Sequence, residues 1–410
     1  MKHIIGCRCV RCGSIYPAAP DITICSCGGI LDVLYDYDAV KSKLTKDILC
    51  ARTDHTMWRY REILPIEEDT TPRGLRVGSS PLYDAPRLTD QLGIGRLYLK
   101  DDGLNPTGSL KDRASAMAVT KAAEAGYRTI GCSSTGNAAS SLAGNAAAAG
   151  IATYIFVPAR APKGKIAQLM MFGAHLTVVD GSYEETYALS KAAIEKYGWY
   201  NRNAAVNPYL SEGKKTVALE IVEQLGFKAP DYVAVSVGDG CTVAGVYKGF
   251  YDMVQLSLCD RIPRIISVQA AGCCPINTAV MTGDGWIQQE ENTYADSIAV
   301  GVPRNADKAI SAIRDSGGIA VNVTDDEIRA AQRTLGKTVG VFGEPAGVAA
   351  TAGLIKLCEQ GVIERDATVV SIVTGNGLKD IDSAILSVGE PPHSQSDLAA
   401  FERLINDNKV

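Results

Sequence analysis

The chain has 410 residues, 46% of them hydrophobic and 21% charged, enough for two or three domains with ordinary buried cores. A formal charge of -5 and a pI near 5.6 leave no basic footprint for nucleic acid, and no run of 18 or more apolar residues could span a bilayer. The stretch MKHIIGCRCV has an apolar run of only two residues before Cys and Arg, so it does not read as a secretory signal; a cytoplasmic protein is expected, its 12 cysteines serving as thiols or metal ligands.

Five of those cysteines (Cys7, Cys9, Cys12, Cys25 and Cys27) fall within the first 27 residues. Cys9-Val10-Arg11-Cys12 and Cys25-Ser26-Cys27 form two thiolate pairs about a dozen residues apart, each followed by a glycine that permits a tight turn. That is the layout of a zinc ribbon over 1–40 with Cys9, Cys12, Cys25 and Cys27 as ligands and Cys7 to spare. A closed site of four thiolates is structural, because no position is left open for substrate. Residues 41–72 read as a linker and lead-in.

From residue 80 onward, short apolar runs alternate with helical patterns. The runs are 97–99, 129–132, 152–157, 175–179, 233–237, 265–268 and 369–373, each apolar enough to be buried on both faces, which predicts parallel strands. Helices fit at 110–125, 137–149, 163–173, 183–197, 212–226, 242–255, 325–336 and 345–359. The fold class is α/β. Past Gly389, the prolines Pro391 and Pro392 lead into a C-terminal helix or tail over 391–410.

In such a sheet, ligands sit beyond the carboxyl ends of strands, where glycine turns let backbone N–H groups approach an anion at a helix start. Four candidate turns occur: Pro106-Thr107-Gly108-Ser109, Ser133-Ser134-Thr135-Gly136-Asn137, Gly238-Asp239-Gly240-Cys241-Thr242 and Thr374-Gly375-Asn376-Gly377. None has the G-x-G-x-x-G spacing of a dinucleotide fold, and Gly336-Lys337-Thr338 lacks the glycine that a P-loop would need at Ala331. Four histidines, none of them in a glycine turn, argue against a Ser-His or Cys-His hydrolase. The pattern suits a small ligand with both a phosphate and a carboxylate. Lys111 follows the first turn at a helix start. Desolvation and positive dipoles there depress an amine's pKa, so it can condense with an aldehyde, pyridoxal phosphate being the usual partner.

Taken in order, these segments resemble the fold type II pyridoxal-phosphate enzymes, and among them the threonine synthases. The resemblance runs through Cys9 to Asp36, Met57-Trp58-Arg59-Tyr60-Arg61, Ser80-Pro81-Leu82-Tyr83, Asn105 to Arg113, Ser134 to Asn137, Gly164-Lys165-Ile166, Val206-Asn207-Pro208-Tyr209, Glu212 to Thr216, Phe342-Gly343-Glu344-Pro345-Ala346 and Thr374 to Asp380. It implies two open twisted α/β domains like those of the tryptophan synthase β chain: a large cofactor-binding domain from 41–120 and 215–390, and a smaller one inserted at 121–214. It also implies a lyase that turns O-phospho-L-homoserine and water into L-threonine and phosphate, commonly as a homodimer.

By position, the resemblance makes Lys111 the Schiff-base lysine and proton shuttle. Asn137 faces the cofactor's ring oxygen, Ser134, Thr135 and Gly136 hold the substrate carboxylate, and Gly238, Asp239, Gly240, Cys241 and Thr242 cradle the cofactor phosphate. Thr374 faces the pyridine nitrogen, where a hydroxyl suits elimination and replacement better than transamination. Ser109, Arg113, Lys165, Asn207 and the Lys214-Lys215 pair are candidates for the substrate phosphate, with Lys165 and Asn207 preferred because a charged pair on a helix is usually solvated. Three departures from the family pattern stand out: Asp239-Gly240-Cys241-Thr242 replaces Asn-Ala-Gly-Asn, Asn376 replaces His, and Leu110 replaces Phe. The alternatives are β-replacement on O-phosphoserine, as in a cysteate or cysteine synthase, and deamination of threonine or serine.

Overall fold

Strand Tyr232–Ser236 is buried at all five positions, as its uninterrupted apolar run requires, and it lies inside a six-stranded sheet. The order across that sheet is Ile319–Val323, Arg264–Ala270, Tyr232–Ser236, Thr368–Val373, Arg96–Asp101 and Leu82–Asp84; only the last strand runs antiparallel to its neighbour. A second sheet has four parallel strands in the order His175–Val179, Ala152–Pro158, Thr129–Ser133 and Tyr200–Asn201. The third is the antiparallel ribbon Ile15–Tyr16, Ile4–Cys9 and Leu31–Tyr35. The structure, a computed structural model, describes residues 3–134, 136–159, 163–203 and 207–407.

Helices start and stop where local chemistry dictates. Tyr183–Tyr197 opens with a capping box between Ser182 and Glu185 and closes on Gly198 at φ 63°. The helix expected over 212–226 begins earlier, as Pro208–Gln224, because Asn207 Oδ1 accepts from Tyr209 N at 3.1 Å and Pro208 takes the first position. Its residues from Pro208 to Val222 are all buried. On one side the helix meets the helix Lys111–Glu124 so closely that a methyl on Gly213 would overlap the Arg113 carbonyl. On another it carries the ribbon: Tyr35 Oη donates to Glu212 Oε2 at 2.6 Å, and Lys215 Nζ lies 4.1 Å from the centre of the Tyr35 ring.

Candidate active site

The glycine turns that follow strands Arg96–Asp101, Thr129–Ser133, Tyr232–Ser236 and Thr368–Val373 all lie at the carboxyl ends of those strands and converge. Leu110 N donates to Thr374 O at 2.9 Å and Asn376 N to Gly108 O at 3.0 Å, fastening the start of the Lys111 helix to the Thr374 turn. Asp112, the next residue, accepts from Thr107 N and Oγ1, each at 2.7 Å, and from Asn145 Nδ2 at 3.1 Å. Asp112 thus fixes the turn, and Lys111 is free to open on the cavity.

Lys111, Ser134, Asn137, Gly238, Asp239, Gly240, Cys241, Thr242 and Thr374 line one cavity. Burial, with the nearby charges of Lys214 and Arg202, lowers the Lys111 pKa from 10.5 to about 8, against a smaller opposing effect of Glu344. The helix Cys241–Gln255 starts at Gly240, with φ 89° and no side-chain cap, so its first N–H groups remain for an anion. Burial pushes the Cys241 thiol up to about 11, which keeps it protonated and unsuited to attack.

Asp239, an unexpected acid beside a phosphate turn, has a structural explanation. Its Oδ1 accepts from Arg304 N at 2.7 Å, its carbonyl accepts from Asn305 N at 3.1 Å, and the Cys241 thiol lies 3.7 Å from Oδ2. The carboxylate therefore staples the turn to the loop before helix Ala306–Asp315. Asn376 caps the short turn Gly377–Lys379, with Oδ1 accepting from Leu378 N at 3.0 Å, and does not line the cavity. Leu110 is buried in the apolar core.

Several phosphate candidates read from the sequence sit elsewhere. Arg113 is a correction: its guanidinium is held by Asp102 (2.6 and 2.8 Å) and Glu220 (2.6 and 2.8 Å), with Thr216 and Ser80, in a fully buried network. Asn207 is another: beyond capping its helix, its Nδ2 donates to Tyr200 Oη at 2.9 Å and Asn201 O at 3.0 Å. Ser109 is buried, bridges to Gly375 and does not line the cavity; Gly136, expected in the loop for the substrate carboxylate, donates its N–H to Ser134 Oγ at 3.2 Å and does not line it either. Lys215 pairs with Glu212 and Asp252, its ammonium 4.1 Å from the Tyr35 ring centre. Thr135 and the Lys165 side chain lie outside the described residues.

Lys214, the other member of the lysine pair among the candidates, and Arg202, which the sequence did not single out, line the cavity; both are fully buried, and burial lowers the pKa of each. Arg202 donates to Ser115 Oγ at 3.1 and 3.4 Å, and among the described residues neither cation has a carboxylate partner within salt-bridge distance. Buried cations without counterions call for an anionic ligand. Arg304, stacked 4.4 Å over the Tyr187 ring, and Glu344 also line the site; the sequence reading assigned a role to neither.

Three more buried atoms of the lining, Asn137 Oδ1, Ser133 Oγ and Asn203 Nδ2, have no hydrogen-bond partner among the described residues. A lysine of lowered pKa, an open helix start, a hydroxyl at Thr374 and unpaired polar atoms fit pyridoxal phosphate. Residues 74–375 match the family described as pyridoxal-phosphate dependent enzyme, and the chain belongs to it. Solved structures agree in fold. The processed form of threonine deaminase isoform 2 from Solanum lycopersicum has a TM-score of 0.65 at 23% identity, covering 76% of this chain and 83% of that one. Diaminopropionate ammonia lyase from Escherichia coli has a TM-score of 0.66 at 19% identity, covering 76% and 87%. The fold is type II. Among curated relatives, the threonine synthase of Methanosarcina acetivorans is 41% identical over 410 residues, 99% of each chain, and that of Methanocaldococcus jannaschii 39% identical over 403 residues, 98% of this chain and 99% of that one. Within the wider class, then, the chain belongs to the threonine synthase family.

In the ribbon, Sγ of Cys9 lies 3.6 Å from that of Cys27, and Sγ of Cys12 lies 3.5 Å from that of Cys25; all four sulfurs lie within 4.8 Å of one another. A tetrahedron with zinc–sulfur bonds of ~2.3 Å has edges of ~3.8 Å, so the donor set fits a structural zinc. Gly29 is needed there: a methyl on it would come within 2.6 Å of Cys9 Sγ. Cys7 is buried outside the cluster.

Proposed function

We propose that this chain converts O-phospho-L-homoserine and water to L-threonine and phosphate. The observation that carries the reading is the meeting, in one cavity, of Lys111 at a pKa of about 8 with the buried cations Lys214 and Arg202. Lys111 would hold pyridoxal phosphate through Nζ, the first N–H groups of the Cys241 helix its phosphate, Asn137 its ring oxygen, and the Thr374 hydroxyl its ring nitrogen. When bound, the cofactor supplies the electron sink for bonds broken at the substrate's α and β carbons. An amine near neutrality can take and return protons at working pH, so Lys111 Nζ serves at Cα and Cβ. Lys214 and Arg202 offset the charge of the leaving phosphate, and the Ser134 turn orients the substrate carboxylate. Desolvation makes these cations more effective there than at the surface.

Purified protein given O-phosphohomoserine should release phosphate and form threonine. Turnover of only O-phosphoserine with sulfite or sulfide would replace this reading by β-replacement. We read the assembly as a homodimer in the cytoplasm. The helix Ile381–Val388 leaves Ile381, Ile385, Leu386 and Val388 exposed, the last two at 71% and 72%, a face suited to a second copy. Sedimentation would give the subunit number. No described helix is long and apolar enough to cross a membrane.

A further inference from the structure

Glu344 stands in the catalytic cavity without an assigned role. The residue is 4% exposed, and Oε1 accepts from Asn137 Nδ2 at 2.6 Å. The backbone holds it there. Glu344 N donates to Gly375 O at 3.0 Å, and the chain passes so close that a methyl on Gly375 would overlap the carboxylate. Neither side chain serves as a helix cap. Helix Asn137–Ala149 starts after Gly136 with no side-chain cap bond, and helix Pro345–Glu359 starts after Glu344 with none either.

An ionised carboxylate only accepts hydrogen bonds, so Asn137 must turn its NH2 group toward Glu344. That settles the amide orientation, which in most structures is a choice between two similar shapes. It leaves Oδ1, which has no partner among the described residues, and one remaining N–H to face the cavity. We infer that Glu344 is a positioning residue for the cofactor: through its bond to Nδ2 it locks the polarity of the Asn137 amide at the ring-oxygen position. The inference rests on the cofactor reading above. A glutamine at 344 can accept or donate, so it would permit both amide orientations and lose the lock while keeping the shape.

The test is a double-mutant cycle on cofactor affinity, read by absorbance as full-length protein is titrated with pyridoxal phosphate. Asn137→Ala and Glu344→Gln should each weaken binding roughly ten-fold or more, the range for loss of a charge-assisted hydrogen bond. The double variant should lose much less than the product of the two single losses, because the amide that Glu344 holds is gone and only its charge effect on Lys111 remains. Glu344→Asp, which withdraws the carboxylate without changing its charge, should fall between wild type and Glu344→Gln, and it stands in if the glutamine variant does not fold. Wild-type affinity in Glu344→Gln, or in Glu344→Asp when it stands in, or losses that multiply in the double variant, would overturn the inference. Borohydride reduction and peptide mapping separate the two readings. A wild type unlabelled at Lys111 removes the cofactor reading and this proposal together; a labelled wild type with additive losses removes this proposal alone.

Discussion

Replacing Lys214 by methionine should raise the pKa of Lys111. The fall from 10.5 to about 8 at Lys111 corresponds to about 3 kcal/mol at 1.36 kcal/mol per pH unit. Burial is its largest cause and the charge on Lys214 the next, so Lys214→Met should return Lys111 only part of the way toward 10.5. Glu344→Gln should move it in the opposite direction, below about 8, because the carboxylate favours the charged amine. The assay is competitive acetylation of cofactor-free protein between about pH 6 and 11, read by mass spectrometry of the Lys111 peptide, with the solvent-exposed Lys191 as internal reference. The same amine makes stability depend on pH. The unfolded chain binds the lysine's proton more tightly than the folded one, so stability carries the full penalty below about 8, and recovers as pH rises toward 10.5. Lys111→Met should abolish that rise. Equal displacement by the two charge variants, or a Lys111 midpoint like that of Lys191, would refute the electrostatic account of the site.

Asp239→Asn should bind cofactor about as well as wild type, since an amide oxygen can still accept from Arg304 N, whereas Asp239→Ala should weaken binding roughly ten-fold; equilibrium titration distinguishes them. Arg113→Met leaves Asp102 and part of the Glu220 charge unpaired in a dry site and should cost about 3–5 kcal/mol of stability in denaturant unfolding, with KM unchanged in what remains folded. Metal analysis should find one zinc per chain, and its chelation should lower the thermal midpoint, because the ribbon's Tyr35 is anchored on Glu212 of the helix that carries Lys214.

Much of the architecture is legible because parallel strands need apolar residues on both faces; the runs near 129–132, 152–157, 233–237 and 369–373 became strands with nearly those limits. Strand Ile319–Val323 escaped notice because, at a sheet edge, it includes Asn322 and is only half buried. Helices Pro86–Leu92, Pro275–Thr282 and Ile381–Val388 are too short, at seven or eight residues, to establish a period.

The functional residues divide along a different line. Those in glycine turns could be located because a turn's chemistry is local: Gly240 needs its φ of 89°, and a side chain there would meet Asn305 O at 2.9 Å. Lys214 and Arg202 could not be ranked in this way. Helical periodicity distinguishes one buried face from one solvated face, so adjacent lysines on a helix read as solvated. The Pro208 helix breaks that premise by being buried on every side. A signal of this existed in Gly213, Gly245 and Gly249, since glycine inside a helix costs stability unless something approaches closely. Here Gly213 admits the Arg113 carbonyl, and a methyl on Gly245 would lie 3.1 Å from Lys214 Cβ. Interior glycines on two neighbouring helices therefore mark the lysines between them as buried, and a buried lysine without a carboxylate partner is a candidate ligand for an anion.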